Sequence, residues 1–204
     1  MKKITILFLN VIFVNLLFSN SFKLHLLFTN NIHGAIHEVP ARFINPEFSP
    51  ILAGGAGAFT YASKIRKEAK LKEDFVMLTD AGNIFQGSQL GTYDGGSNII
   101  KWMNWMAYDA IVPGVRDFDQ GVNNLSKLAS EANFPFLASN LEGVDGIEDY
   151  KIINANGVKI GLIGLITPFI SEGLLPEYYE GVAVSDLMKT LNTHIEKIRS
   201  EVDL

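Results

Sequence analysis

The sequence predicts an α/β domain built on a mostly parallel sheet with helices on its faces. Short apolar runs alternate with segments whose apolar residues recur every three or four positions, an order typical of parallel strands joined by helical crossovers. Residues 75–79 (FVMLT) are apolar on both faces, like a buried parallel strand. The dipeptide Asn156-Gly157 between two apolar runs is a strong signal for a type I′ hairpin.

Composition narrows the class of protein. The chain has 204 residues, of which 48% are hydrophobic and 19% charged, and it is therefore a globular protein with room for a sizeable core. A formal net charge of −5 gives no indication of nucleic-acid binding. The sequence has no cysteine, which excludes disulfides and thiolate metal sites.

The amino end has the pattern of a targeting segment. Two lysines precede an apolar stretch over residues 4–18, and Ser19-Asn20-Ser21 forms a small-x-small cleavage site. The alternative is a membrane anchor, but the stretch is shorter than the roughly 20 residues needed to span a bilayer. We therefore expect a signal peptide over 1–21 and a folded domain over 22–204. The protein would be exported to a bacterial periplasm or cell surface and would meet the membrane only through this signal.

In the first half of the domain, we expect strands over 24–29 and 75–79. A long loop follows the first strand, and long ordered loops are more often functional than accidental. A helix should then run from 54 to about 70, with an inward face formed by Phe59, Ala62, Ile65 and Ala69.

In the second half, Ser97 is a plausible N-cap for a helix. We expect strands over 110–112 and 135–141, a hairpin formed by 151–155 and 158–167, and a further helix from Val122 to Ala132. The last helix should turn Leu187, Leu191, Ile195, Ile198 and Val202 inward. Residues 202–204 have the pattern of the first step into another strand.

Polar residues follow three successive predicted strands. Because parallel strands end at the same edge of a sheet, these residues should converge into one site. They are Asn31 and His33 after the first strand, Asp80 and Asn83 after the second, and Arg116, Asp117 and Asp119 after the third.

The same three segments resemble the metal-binding motifs of a known family. Residues 29–34 (TNNIHG) resemble TNDxHG, residues 80–87 (DAGNIFQG) resemble DAGDxFQG, and residues 114–121 (GVRDFDQG) resemble GNHEFDxG. These motifs belong to the 5′-nucleotidase and UDP-sugar hydrolase family of calcineurin-like metallophosphoesterases. Three further blocks, at 54–56, 134–140 and 157–165, resemble that family's GGxA, FPxLxAN and GVKIGxIGL segments.

The resemblance implies a metallophosphoesterase-type α/β sandwich, of which this chain would be the first part. The family's later histidine motifs and its C-terminal nucleotide-binding domain have no counterpart in the sequence, so we expect a truncated member. Family members hydrolyse phosphate esters of nucleotides or UDP-sugars with two divalent ions about 3.5–4 Å apart.

The family's functional positions fall on Asn31, His33, Asn83, Val115 and Arg116, and only His33 keeps the family's residue. An asparagine is a weak ligand for a hard cation, and the neutral amide of Asn83 is a poor bridge between two dications. Val115 has no ligand atom, and the permanently charged Arg116 cannot act as an acid or base. We therefore expect metal to be absent or weakly bound, with Asn31, His33 and Asn83 as a degenerate metal site.

Our leading interpretation is an exported family homologue without phosphatase activity of its own. One alternative is an active nucleotide phosphohydrolase completed by a second chain. Another is a binding protein that holds phosphate or another anion with Arg116. The expected small-molecule partner is a nucleotide or phosphate ester, and a second copy or a complementing chain would cover the exposed sheet edge.

Overall fold

The computed structural model describes residues 23–204, so the predicted signal peptide lies outside the described residues. The strands are β1 (Leu24–Thr29), β2 (Val39–Pro40), β3 (Ile51–Leu52), β4 (Phe75–Asp80), β5 (Ala110–Ile111), β6 (Phe136–Leu137), β7 (Leu141–Glu142), β8 (Ile147–Glu148), β9 (Tyr150–Ala155), β10 (Val158–Ile163) and β11 (Ala183–Val184). The α-helices are α1 (Gly54–Leu71), α2 (Gln89–Thr92), α3 (Ser97–Met106), α4 (Val122–Glu131) and α5 (Leu187–Ile198), and single 3₁₀ turns occupy Val115–Phe118, Ile170–Glu172 and Pro176–Tyr178.

The central sheet has five parallel strands in the order β1-β4-β5-β6-β8. Each new strand adds to the same side of the sheet, so right-handed crossovers place their helices on one face. The mixed α/β architecture with a parallel sheet is therefore the one that the sequence predicts.

One face of the sheet forms the main core with the helices. The strand register aligns Leu27 with Leu78 and Ile111 with Phe136, and side chains in register point to the same face. These residues pack with buried side chains of α1, α3 and α4, including Ala62, Ile99, Ile100, Met103, Leu125 and Leu128.

The hairpin β9–β10 lies over the other face. The positive φ angles of Asn156 (53°) and Gly157 (95°) confirm the predicted type I′ turn. After β10, Gly164 passes so close to β6 that a Cβ on it would stand 2.2 Å from the carbonyl oxygen of Leu137. Helix α5 packs on the outer side of β10. The parallel sheet and the hairpin therefore form two strand layers with helices on their outer faces.

The last residues form backbone hydrogen bonds with β10, although the strand expected to begin at 202–204 is not formed there. The amide of Leu204 donates to the carbonyl oxygen of Lys159 at 3.1 Å, and the amide of Gly161 donates to the carbonyl oxygen of Leu204 at 2.8 Å. Strand β10 is therefore bonded to β9 along one edge and to this terminal segment along the other.

Five further local predictions are wrong. The second strand of the hairpin, expected over 158–167, ends at Ile163 as β10. Phe59 is 46% exposed, because α1 approaches the sheet through small residues such as Ala62. Ser97 was expected to be the N-cap of a helix but is the first residue of α3. The N-cap of α3 is Gly96, with a φ of 101°. Ile195 is 41% exposed and lines a shallow cleft beside β10. The strand expected over 135–141 is divided into β6 and β7.

Among residues 23–204, none of the helices combines the length and apolar composition needed to cross a lipid bilayer.

Candidate functional site

Three loops meet at the carboxyl ends of neighbouring strands: the first loop (29–34) after β1, the second loop (80–87) after β4 and the third loop (114–121) after β5. Backbone hydrogen bonds join the first two. The amides of Asn31, His33 and Gly34 donate at 2.8–2.9 Å to the carbonyl oxygens of Gly82, Asn83 and Ile84. The predicted convergence of the polar residues is therefore confirmed.

Asp117 fastens the third loop to the second. Its carboxylate is fully buried and accepts the amides of Asn83, Ile84 and Gly114 at 2.7–2.8 Å. Burial raises the pKa of Asp117 to about 6, although these hydrogen bonds act in the opposite direction.

The sequence placed Asp117 among the polar residues after the third strand but gave it no role in holding the loops. Its place three residues after the turn glycine Gly114 is the signal that could have found it, because aspartates in turns accept nearby backbone amides.

Asp80 supports the second loop from the other side. One carboxylate oxygen accepts the amide of Gly82 at 2.6 Å, and the other accepts the hydroxyl of Thr29 at 2.6 Å. The same hydroxyl lies 2.7 Å from the hydroxyl of Tyr108. Burial raises the pKa of Asp80 to about 6, with its hydrogen bonds opposing the shift. Asp80 is therefore a loop support beneath the site.

Asn31 and Asn83 contact each other directly. Asn83 Oδ1 accepts the backbone amide of Arg116 at 2.9 Å, and Asn83 Nδ2 donates to Asn31 Oδ1 at 2.7 Å. A backbone amide is always a donor, so it fixes which end of the Asn83 side chain is the oxygen. The Asn83 nitrogen must then face Asn31, whose own Oδ1 is the acceptor.

His33 lies beside this pair in the first loop. Its Nδ1 is 2.7 Å from the carbonyl oxygen of Gln86. A carbonyl only accepts, so Nδ1 carries the proton and a neutral His33 keeps its lone pair on Nε2. This is the tautomer that a metal-binding histidine adopts, but a single histidine does not make a site.

Arg116 has a half-exposed side chain. Its guanidinium lies 3.4 Å from the carbonyl oxygen of Gly173 and 3.5 Å from Asp119, so Asp119 is the acidic partner. Val115 packs against the hydrophobic core. Neither residue presents a metal ligand to the site.

The residues present do not fit a pair of divalent ions. The Asn83 oxygen is already an acceptor for Arg116, and its nitrogen directs hydrogens at Asn31. Within residues 23–204, no three histidine, aspartate or glutamate side chains are grouped so that they could hold a metal. Of the three candidate ligands Asn31, His33 and Asn83, His33 is the one that keeps a free ligand atom, its Nε2.

A cleft of about 580 Å³ opens beside the first loop. Its wall combines the end of β1, the start of α1 and the indole of Trp102, whose Nε1 donates to the carbonyl oxygen of Gly55. Asn30 and Asn31 form the polar side of the opening. The paired asparagines therefore lie at the edge of a cavity large enough for a small molecule.

Solved structures with a similar fold include phosphoesterases. A 5′-nucleotidase precursor from Thermus thermophilus aligns with a TM-score of 0.73 and 22% identity over 88% of this chain and 35% of that one. The calcineurin-like phosphoesterase YfkN from Bacillus subtilis aligns with a TM-score of 0.66 and 26% identity over 86% of this chain and 58% of that one.

Proteins with similar sequences are also 5′-nucleotidases, although no family model matches the chain. It is 34% identical to a snake venom 5′-nucleotidase from Crotalus adamanteus over 158 residues, 73% of this chain and 26% of that protein. It is 29% identical to the Homo sapiens 5′-nucleotidase over 196 residues, 86% of this chain and 33% of that protein. The chain thus spans about a quarter to a third of these curated relatives. It belongs to the 5′-nucleotidase family, within the calcineurin-like phosphoesterase fold, and corresponds to the N-terminal part of the catalytic domain.

Proposed function

We propose that this chain is a 5′-nucleotidase-family protein whose own residues do not carry out metal-dependent hydrolysis of phosphate esters. The Asn31–Asn83 hydrogen bond is the observation that carries the proposal. It occupies the point where the family's motifs place two metal-binding carboxylates. An amide donor there directs positive partial charge toward any approaching cation.

Purified protein assayed with millimolar Mn²⁺ tests this proposal. We expect no release of phosphate from a nucleoside monophosphate, and no cleavage of a UDP-sugar, above the rate without protein. Metal-dependent turnover that disappears in Asn83→Ala and survives in Asn30→Ala would overturn it. Asn30 is a matched control because it is an exposed asparagine beside the same cleft, with no role in the amide pair.

A second candidate function is the binding of phosphate or a related anion. The guanidinium of Arg116 is half exposed, and its contacts with Gly173 and Asp119 are long. The neighbouring amides of Asn31 and Asn83 add no negative charge. Asp119 is the acidic group that an oxyanion would compete with for the guanidinium, and a guanidinium suits an oxyanion as a charged donor.

The melting temperature in phosphate and in chloride tests whether the protein binds an anion at Arg116. Phosphate should raise the melting temperature of the wild-type protein more than chloride at equal ionic strength, and Arg116→Ala should abolish the difference. Arg42→Ala, on the loop between β2 and β3, is the control for loss of one positive charge. Equal responses of both variants would exclude a specific site at Arg116.

The third candidate is an active phosphohydrolase completed by a second polypeptide. Supporting it, Leu26 and Phe28 of β1 are 54% and 74% exposed on the sheet face that the hairpin leaves open. A complementing chain could cover this face and supply metal ligands. Activity that appears only when the protein is purified with a bound partner would favour this candidate.

We also propose that the protein is exported after removal of residues 1–21. The support is the sequence pattern of a signal peptide. The amino-terminal sequence of the protein recovered from cells tests it, and the expected first residue is Phe22. An amino terminus that retains the apolar stretch over 4–18 would contradict removal.

A further inference from the structure

The hydrogen bond between Asn31 and Asn83 joins loops that are also held by backbone hydrogen bonds, by buried carboxylates beneath them and by the bond from His33 Nδ1 to the carbonyl oxygen of Gln86. Asn83 is the centre of the arrangement. Its Nδ2 bonds Asn31 in the first loop, its Oδ1 bonds the amide of Arg116 in the third, and its own backbone lies in the second. One amide side chain therefore contacts all three loops.

We propose that this amide clamp, formed by Asn31 and Asn83, replaces a bridging cation as the element that holds the three loops together. Two carboxylates with oxygens about as close as these atoms would repel each other unless a cation or a shared proton lay between them. Two amides complement each other, because one supplies the hydrogen and the other the oxygen.

The surrounding charges favour amides. Asp80 is buried in the second loop and Asp117 in the third, so two carboxylates already lie close to the clamp. Aspartate at both clamp positions would add two acidic groups to the three that these loops already contain, Asp80, Asp117 and Asp119. With asparagine, no further charge is added. The two buried carboxylates remain satisfied by backbone amides and, at Asp80, by the hydroxyl of Thr29, and Asp119 remains paired with Arg116.

The backbone is also suited to asparagine. Asn31 and Asn83 adopt left-handed conformations, with φ angles of 54° and 58°. Asparagine and aspartate tolerate this region better than other residues with a side chain. The exchange of one for the other therefore keeps the loop geometry while it removes the need for a cation.

Melting of the purified protein in EDTA and in Mn²⁺ tests the clamp. The wild-type melting temperature should be the same in both. The double variant Asn31→Asp/Asn83→Asp should melt a few degrees lower in EDTA, and Mn²⁺ should restore the loss. Asn30→Asp adds the same kind of charge to a neighbouring exposed residue, and its melting temperature should not respond to Mn²⁺.

A double-mutant cycle gives a second measurement if the aspartate variant fails to fold. Asn31→Ala and Asn83→Ala should each lower the melting temperature, and the double alanine variant should lose less than the sum of the two. Additive losses would overturn the clamp. A wild-type protein stabilised by Mn²⁺ as strongly as the aspartate variant would overturn it as well.

The clamp and the proposed lack of hydrolysis fail separately. If the protein shows metal-dependent turnover and its melting temperature is unchanged by EDTA, only the proposed function is contradicted. Additive alanine losses in an inactive protein would contradict only the clamp.

Discussion

Asp117 and Asp80 hold the second loop from opposite sides, and their oxygens differ in the partners they accept. Both oxygens of Asp117 receive backbone amides, whose direction is fixed. Asp80 receives one backbone amide and one hydroxyl, and the hydroxyl of Thr29 can rotate. The two carboxylates should therefore respond differently to replacement by an amide.

We predict that Asp117→Asn lowers the free energy of unfolding by about 2–3 kcal/mol, because its NH₂ group must face a buried backbone donor. Asp80→Asn should cost less than about 1 kcal/mol, since Asn Nδ2 can donate to Thr29, whose hydroxyl then turns toward Tyr108. Urea denaturation at pH 7 measures both values. Equal losses in the two variants would show that the fixed direction of the backbone donors does not matter.

The same carboxylates predict how stability depends on pH. Burial raises their pKa values from 3.8 to about 6, so the folded chain binds these protons more tightly than the unfolded chain. Their contribution to the free energy of unfolding is therefore complete below about pH 4 and is lost as the pH rises through about 6. Asp74 opposes this trend, because hydrogen bonds led by the amide of Lys23 lower its pKa.

We expect Asp80→Asn to remove part of this dependence. The difference between wild-type and variant urea midpoints should change between pH 4 and pH 6.5 and stay constant from pH 7 to pH 8. The comparison removes the contribution of Asp80 together with its repulsion of Asp117, while Asp74 is present in both proteins. A difference that does not vary with pH would contradict the raised pKa.

The sequence identified which residues come to the site, but not how they bond. Motif spacing placed Asn31, His33 and Asn83 at strand ends, and the fold brings them together. The direct Asn31–Asn83 bond could not be predicted, since it depends on the Arg116 amide from a loop more than thirty residues away. Long-range contacts of single atoms leave no periodic pattern in a sequence.

Elements defined by local signals were predicted well. Strand β1 has its expected bounds, and the hairpin turn follows from the two residues Asn156 and Gly157. The strand expected over 135–141 was wrong because of a tertiary contact. The side chain of Asn140 exchanges two hydrogen bonds with the backbone of Ile166 and takes the place of a neighbouring strand. The spacing of apolar residues does not show that a side chain will take the place of a strand in this way.

Two glycines of the hairpin region offer a test of how it docks on the sheet. A Cβ on Gly157 would meet nothing within 4 Å, so Gly157→Ala should cost only the left-handed backbone, about 1–2 kcal/mol. A Cβ on Gly164 would collide with the backbone of Leu137, and Gly164→Ala should cost more, about 3 kcal/mol. Urea denaturation ranks the two variants. A larger loss for Gly157→Ala would show that docking tolerates a wider gap at β6.

At the scale of the whole molecule, the two faces of the sheet differ. The helix-covered face is continuous with the main core. On the other face, the end of β10 leaves a cleft of about 380 Å³ against β4, β5 and β6, with Phe28 at its margin. Strand β1 is one of the two edges of the sheet among the described residues, and it bonds only to β4 there. An apolar edge and face of this kind favour association with another polypeptide.

We therefore predict that the isolated chain self-associates through β1, and that Phe28→Lys shifts it toward monomer in sedimentation velocity over a range of concentrations. The lysine should not unfold the protein, because Phe28 is 74% exposed and contributes little to the core. Phe43→Lys is the matched control, since Phe43 is 82% exposed but lies on the loop between β2 and β3, away from the sheet. If both variants weaken association equally, general surface hydrophobicity is the cause. A wild-type protein that stays monomeric at every concentration and melts cooperatively would show that the open face needs no cover.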